Sequence, residues 1–99
     1  MTIRSITSCL GYQQITSLAS AVNLTVPTLS PDGSKCSPTF AIITPTVSSI
    51  RWRDDGVAPT ASVGMPVTEN GVLEYDGDLN KIQFIQQGTG AILNVVYYA

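Results

Sequence analysis

Four aspartates are the side chains best placed to do chemistry. Asp54 and Asp55 form one acidic turn with Gly56, and Asp76 and Asp78 flank Gly77 in another. Two such turns brought together would present carboxylate oxygens of the kind Ca²⁺ takes, although neither matches an EF-hand loop. The plainer reading is that Asp caps turns at strand ends, where its side chain bonds nearby backbone and Gly supplies a positive φ. Glu69 and Glu74 are a second carboxylate pair, formally able to serve as acid and base in glycoside hydrolysis. They flank Asn70-Gly71, a strong hairpin signal, and glutamates there are expected to be solvated. Cys9 and Cys36 are the two thiols, and the chain has no histidine. Nucleophilic catalysis therefore lacks its usual base, and the common zinc sets lack a ligand. Gly88-Thr89-Gly90 is not a phosphate loop, since neither a lysine nor a helix signal follows it. No enzymatic activity, cofactor or metal is expected from these residues.

Recognition chemistry is a better fit. Trp52, Tyr75, Tyr97 and Tyr98 offer a sugar-stacking platform or, more plainly, core and interface packing. Arg51 and Arg53 stand beside Asp54 and Asp55. On an exposed face such pairs contribute roughly 0–1 kcal/mol. Buried in an assembly, bidentate arginines would specify a partner. Net charge is −2 with only five basic residues. A nucleic-acid binder needs a clustered basic face, so none is expected. No apolar run approaches a membrane span, and no secretory signal is expected at the N-terminus. The two cysteines then read as reduced thiols behaving as small apolar side chains rather than as a disulfide.

These residues sit in a chain whose pattern is that of strands. Ile50-Arg51-Trp52-Arg53 alternates apolar and charged, the period of a strand with one buried face, and Asp54-Asp55-Gly56 turns it. This stretch lies at mid-chain and carries the only tryptophan. Upstream, residues 1–8 read as an arm or edge strand. A strand over 11–16 is favoured over a helix, and 22–26 is a strand with Leu24 and Val26 on one face. Residues 27–38, with Pro31-Asp32-Gly33, form the longest loop. Residues 39–43 make a buried strand that Pro45 breaks, and 47–53 follows as a central strand, so that 39–53 is a hairpin or bent pair. Residues 56–64 are a small-residue loop lying close to neighbouring backbone. Asn70-Gly71 joins 67–69 and 72–75 as a hairpin. In 79–85, Ile82 and Phe84 face inward. In 91–98, Leu93, Val95 and Tyr97 share one face and Asn94, Val96 and Tyr98 the other. Apolar residues on both faces predict a central strand, or a face covered by another subunit. The result is one all-β domain over 1–99, a two-sheet β-sandwich of jelly-roll type with seven or eight short strands.

Charged residues are 12% of the chain, about half the usual ~25%. That suits a protein packed against others. The run Arg51-Trp52-Arg53-Asp54-Asp55-Gly56-Val57-Ala58-Pro59-Thr60-Ala61-Ser62-Val63-Gly64-Met65 resembles a widespread group of small virion proteins of tailed bacteriophages. Leu10-Gly11-Tyr12-Gln13-Gln14-Ile15, Gly77-Asp78-Leu79, Ile82-Gln83-Phe84-Ile85 and Ala91-Ile92-Leu93-Asn94-Val95-Val96-Tyr97-Tyr98 carry the same resemblance; the longer, Cys-bearing 27–38 departs from it. The resemblance implies a virion structural component, assembled in the bacterial cytoplasm. A head decoration or cement protein that binds the major capsid protein as a homo-oligomer is expected first. A head–tail adaptor, tail or fibre-base protein is the second expectation, and a carbohydrate-binding host-attachment module the third. The candidate core and interface residues are Trp52, Arg51, Arg53, Asp54, Asp55, Val96 and Tyr98.

Overall fold

The computed structural model describes residues 9–99, so the expected arm over 1–8 lies outside the described residues. The described chain is all-β. Its strands are β1 (Cys9–Ile15), β2 (Val22–Asn23), β3 (Phe40–Thr46), β4 (Ile50–Arg53), β5 (Met65–Val67), β6 (Leu73–Tyr75), β7 (Gln83–Gln86) and β8 (Ile92–Tyr98). They form two antiparallel sheets of four, ordered β1-β8-β3-β6 and β2-β7-β4-β5. The pairing is nested: first with last, second with seventh, third with sixth, fourth with fifth. The chain is thus one long two-stranded ribbon doubled back on itself, with β8 on β3 and β7 on β4 as the contacts that close each sheet. The tip of the ribbon is the 54–64 loop, immediately after Trp52.

One apolar cluster serves both sheets. From the first come Ala41, Ile43, Leu93, Val95 and Tyr97, and from the second Ile50 and Phe84, each at most 1% exposed. Leu18, Leu24, Leu79 and Ile82 close it from the connections. Alternation puts these side chains on one face of each strand, and full burial contributes about 1.5–3 kcal/mol per large aliphatic or aromatic group. Of the two faces expected on the last strand, the one with Leu93, Val95 and Tyr97 is the buried one, and β8 is an interior strand as expected. Ile82 and Phe84 are likewise buried. β1 contains a bulge between Cys9 and Gly11, where one extra residue re-aims the buried Leu10.

Several local expectations are corrected. Pro45 does not break β3; the strand runs through it to Thr46, and Pro45 is buried. Its carbonyl accepts from the Asn70 N–H at 2.8 Å. In an antiparallel strand the N–H and C=O of a residue point the same way. The hydrogen that proline lacks would therefore face the β6 side, where the ladder has already ended at Ile43. β4 begins at Ile50 rather than at 47, and β3 and β4 enter different sheets, so 39–53 is not a hairpin. Asn70-Gly71 does not make a hairpin either. β5 pairs with β4 and β6 with β3, and the turn is Thr68 to Gly71, closed by Gly71 N–H on Thr68 O at 2.8 Å with Asn70 at φ 64°. Asn-Gly supplied the positive φ a reversal needs, but the chain there crosses between sheets. β2 spans only Val22–Asn23, although Leu24 and Val26 still pack on the core, and β7 starts at Gln83 because Asp78 to Ile82 is a turn.

The crossing from β3 to β4 carries backbone strain. Val47 is β-branched, sits at φ 72° and is 58% exposed, so its side chain gains little from burial. A left-handed conformation costs a non-glycine residue about 1–2 kcal/mol, and glycine's extra unfolded-state freedom costs about 0.5–1 kcal/mol. Val47→Gly is therefore expected to stabilise the fold by about 0.5–1 kcal/mol. A higher urea midpoint at unchanged slope is the expected reading; a lower midpoint would show that the valine side chain matters more than its strained backbone.

Candidate functional site

The ribbon tip gathers most of the predicted site residues. In β4, Ile50 is fully buried, and Trp52, in register between Phe84 of β7 and Met65 of β5, is half-buried on the same face. The indole meets Tyr75 of the other sheet edge-on, with centroids 5.8 Å apart and planes at 65°. Tyr75 Oη donates to Asp54 Oδ2 at 2.7 Å. One aromatic pair and one hydrogen bond thus join the two sheets beside the tip. Burial, with the Asp54 acceptor second, pushes the Tyr75 phenol well above its ordinary range. Gly77 packs against this tyrosine so closely that a Cβ there would stand 2.4 Å from Oη and 2.6 Å from Cζ.

The two arginines take different parts. Arg53 forms a two-point ion pair within its own turn, Nε and Nη2 donating to the two oxygens of Asp55, the first at 3.0 Å. The Arg53 hydrogen bond holds the Asp55 carboxyl down to about 2. Arg51 binds the loop instead: Nε donates to Ala61 O at 3.1 Å and Nη1 to Gly64 O at 2.7 Å. Gly64, at φ 142°, lies so close beneath that a Cβ would meet Trp52 O at 3.1 Å and Arg51 Cβ at 3.2 Å. The close approach expected for 56–64 is therefore real, and Arg51 enforces it. Between loop and strand lies an open groove of about 630 Å³, lined by Trp52, Arg53, Asp54, Asp55, Val63, Gly64 and Met65. Val63 and Met65 are 51% and 58% exposed on its wall.

Val96 and Tyr98 belong elsewhere, on the outer face of the first sheet, both half-buried. Tyr98 packs on Phe40 with centroids 5.9 Å apart, and Val96 lies in register with Tyr12 and Ile42. Beside them Asn94 accepts from Tyr12 Oη at 2.7 Å and from Gln14 Nε2 at 3.2 Å, and donates to Thr44 O at 3.2 Å. That network stitches three strands across the outer face. The four aromatics are accordingly no common platform: Trp52 and Tyr75 meet, Tyr97 is in the core, and Tyr98 faces outward. The acidic turns do not merge as a cation site, since among the described residues no three acidic, thiol or imidazole groups come together. Asp78 caps its own turn, Oδ1 accepting from Asn80 N–H at 3.0 Å. Cys9 and Cys36 are free thiols, and Cys9 is exposed rather than packed like an apolar side chain. Sequence reasoning missed the Tyr75–Asp54 link and the contribution of Val63 and Met65, which are far from Trp52 only along the chain.

No protein-family model, curated protein or solved structure matches this chain.

Two measurements follow from this geometry. Gly77→Ala forces Tyr75 away from Asp54 and should cost about 1–3 kcal/mol, the usual range for overpacking. The change should also appear in Trp52 fluorescence, whose edge-on neighbour moves; unchanged stability and emission would mean that Gly77 is not a spacer. At high pH, Tyr97 is the second sensor: burial pushes it up to about 12, and its Oη donates to Gln13 Oε1 at 2.6 Å. A phenol whose folded value is raised contributes stability below its unfolded value near 10, which is lost as pH rises through about 12. Stability is expected to be flat to pH about 9.5 and to fall from pH about 10 upward. Tyr97→Phe should flatten part of that limb, leaving the part due to Tyr75, and an unaltered limb would contradict the assignment.

Proposed function

We propose that this chain is a structural protein of the tailed-bacteriophage virion, a head decoration or cement protein that binds the major capsid protein. The observation that carries the reading is the nested strand order. On this reading the order β1-β8-β3-β6 and β2-β7-β4-β5 supports a jelly-roll sandwich, an architecture that viral capsid domains are among the users of. The resemblance of the 51–65 run to small virion proteins supports the same reading, as does the low charge of the chain.

On this reading the mechanism is adhesion. The protein offers two sheets with unpaired edges among the described residues, a half-buried outer face at Val96 and Tyr98, and a ribbon tip bearing exposed Val57, Val63 and Met65. Side chains of that kind gain most when a neighbouring subunit desolvates them. Single contacts can be weak, because many copies on a symmetric lattice, or a homo-oligomer, act together. Nothing in the mechanism needs a bound cofactor.

Mass spectrometry of virions purified from the phage that encodes the chain, with copy counting, tests this. Copies on the order of hundreds per particle are expected for many weak contacts spread over a shell. A dozen or fewer, set by the symmetry of a ring, would instead place the protein at the head–tail junction or tail. Particles that lack the polypeptide would overturn the virion reading altogether.

A further inference from the structure

We propose that the groove beside Trp52 is a receptor for an arginine side chain presented by a partner protein. Arg53 and Asp55 neutralise each other in a two-point pair. Asp54 has no such counterpart: its contact is the neutral hydroxyl of Tyr75 on Oδ2, and no described basic side chain lies within ion-pair distance. Oδ1 accepts no hydrogen bond from a described residue, and Asp54 lines the groove. Among the described residues Asp54 therefore has no ion-pair partner, and it brings a negative charge to the groove beside a half-buried indole.

Shape and chemistry narrow the occupant. A guanidinium is planar, stacks on an indole face, and donates in a fixed fork to a carboxylate, and it is more weakly hydrated than an ammonium. Its three methylenes would lie along an apolar wall, which Val63 and Met65 supply. A neutral ligand would leave Asp54 unbalanced, and an anion would be repelled by it. A second copy of this chain is a poorer occupant, since the groove and the whole chain are both net negative. The source of the arginine, another virion protein, rests on the function proposed above; the preference of the groove for a guanidinium does not.

Trp52 is the only tryptophan and lines this groove, so its emission is the probe of what enters it. The probe is N-acetyl-arginine amide, titrated against the full chain, with N-acetyl-citrulline amide as the neutral isostere. A saturable emission change with the arginine compound, absent with the citrulline compound and weakened by 0.5 M NaCl, is the expected result. Asp54→Asn keeps an acceptor for Tyr75 Oη and should bind the arginine compound roughly three- to tenfold more weakly. An equal response to citrulline, or undiminished binding by folded Asp54→Asn, overturns the proposal; so does an emission change driven by protein concentration alone, which would seat a second copy there. The citrulline comparison decides the matter on wild-type protein even if the variant does not fold. Arginine binding by a protein missing from virions would sink the virion reading and spare the groove. The absence of arginine binding in a protein found on virions would do the reverse.

Discussion

Burial of one face of β8 against the opposite sheet is the interaction on which the remaining structure depends. Leu93, Val95 and Tyr97 are at most 1% exposed, and they meet Ile50 and Phe84 of the second sheet within one cluster. β8 also pairs on both sides, with β1 and with β3. Moving it by one residue would turn its buried set outward and bring Asn94, with Val96 and Tyr98, into the core, so the core favours the observed register. Every other strand of the first sheet takes its position from that register.

From that constraint the ribbon tip follows. Once the first and last strands pair and the chain folds back in nested order, the middle of the sequence is delivered to the doubled end. The loop between β4 and β5 cannot drift there, because Arg51 holds two of its carbonyls and Gly64 has no Cβ to keep it off the strand. The Trp52–Tyr75 contact and the Tyr75–Asp54 hydrogen bond then link the sheets at the same place. A hydrogen bond to a charged group contributes about 1.5–3 kcal/mol, which is appreciable for a domain of this size. The tip is thus rigid, half apolar and locally acidic, the combination that makes a small surface selective.

The proposed adhesive role and the arginine groove are consistent with how polar groups are distributed. No polar or charged residue is fully buried among the described ones, so the interior carries packing and little else. Recognition has to reside on the surface, where two separate places combine aromatic area with ordered polar groups: the tip, and the outer face around Val96, Tyr98 and the Asn94 network. They lie at separate places on the surface, which is consistent with the proposed role, in which one copy would contact two neighbours.

Strand content, the inward sets on β4 and β7, the two faces and central place of β8, the turns at Pro31-Asp32-Gly33 and Asp54-Asp55-Gly56, and the closeness of 56–64 to its neighbours were all legible from period and residue type. These are properties of neighbouring residues, set by alternation and by the φ that Gly, Asn and Pro permit. Which strands pair was not legible. Asn70-Gly71 and Pro45 give the same local signal whether the chain reverses within a sheet or crosses to another, and only burial of the shared core chooses between them. For the same reason Asp54 read as one of four turn aspartates. Its partner Tyr75 and the wall residues Val63 and Met65 reach it through folding alone, so residue types determined the strands while long-range packing decided the site.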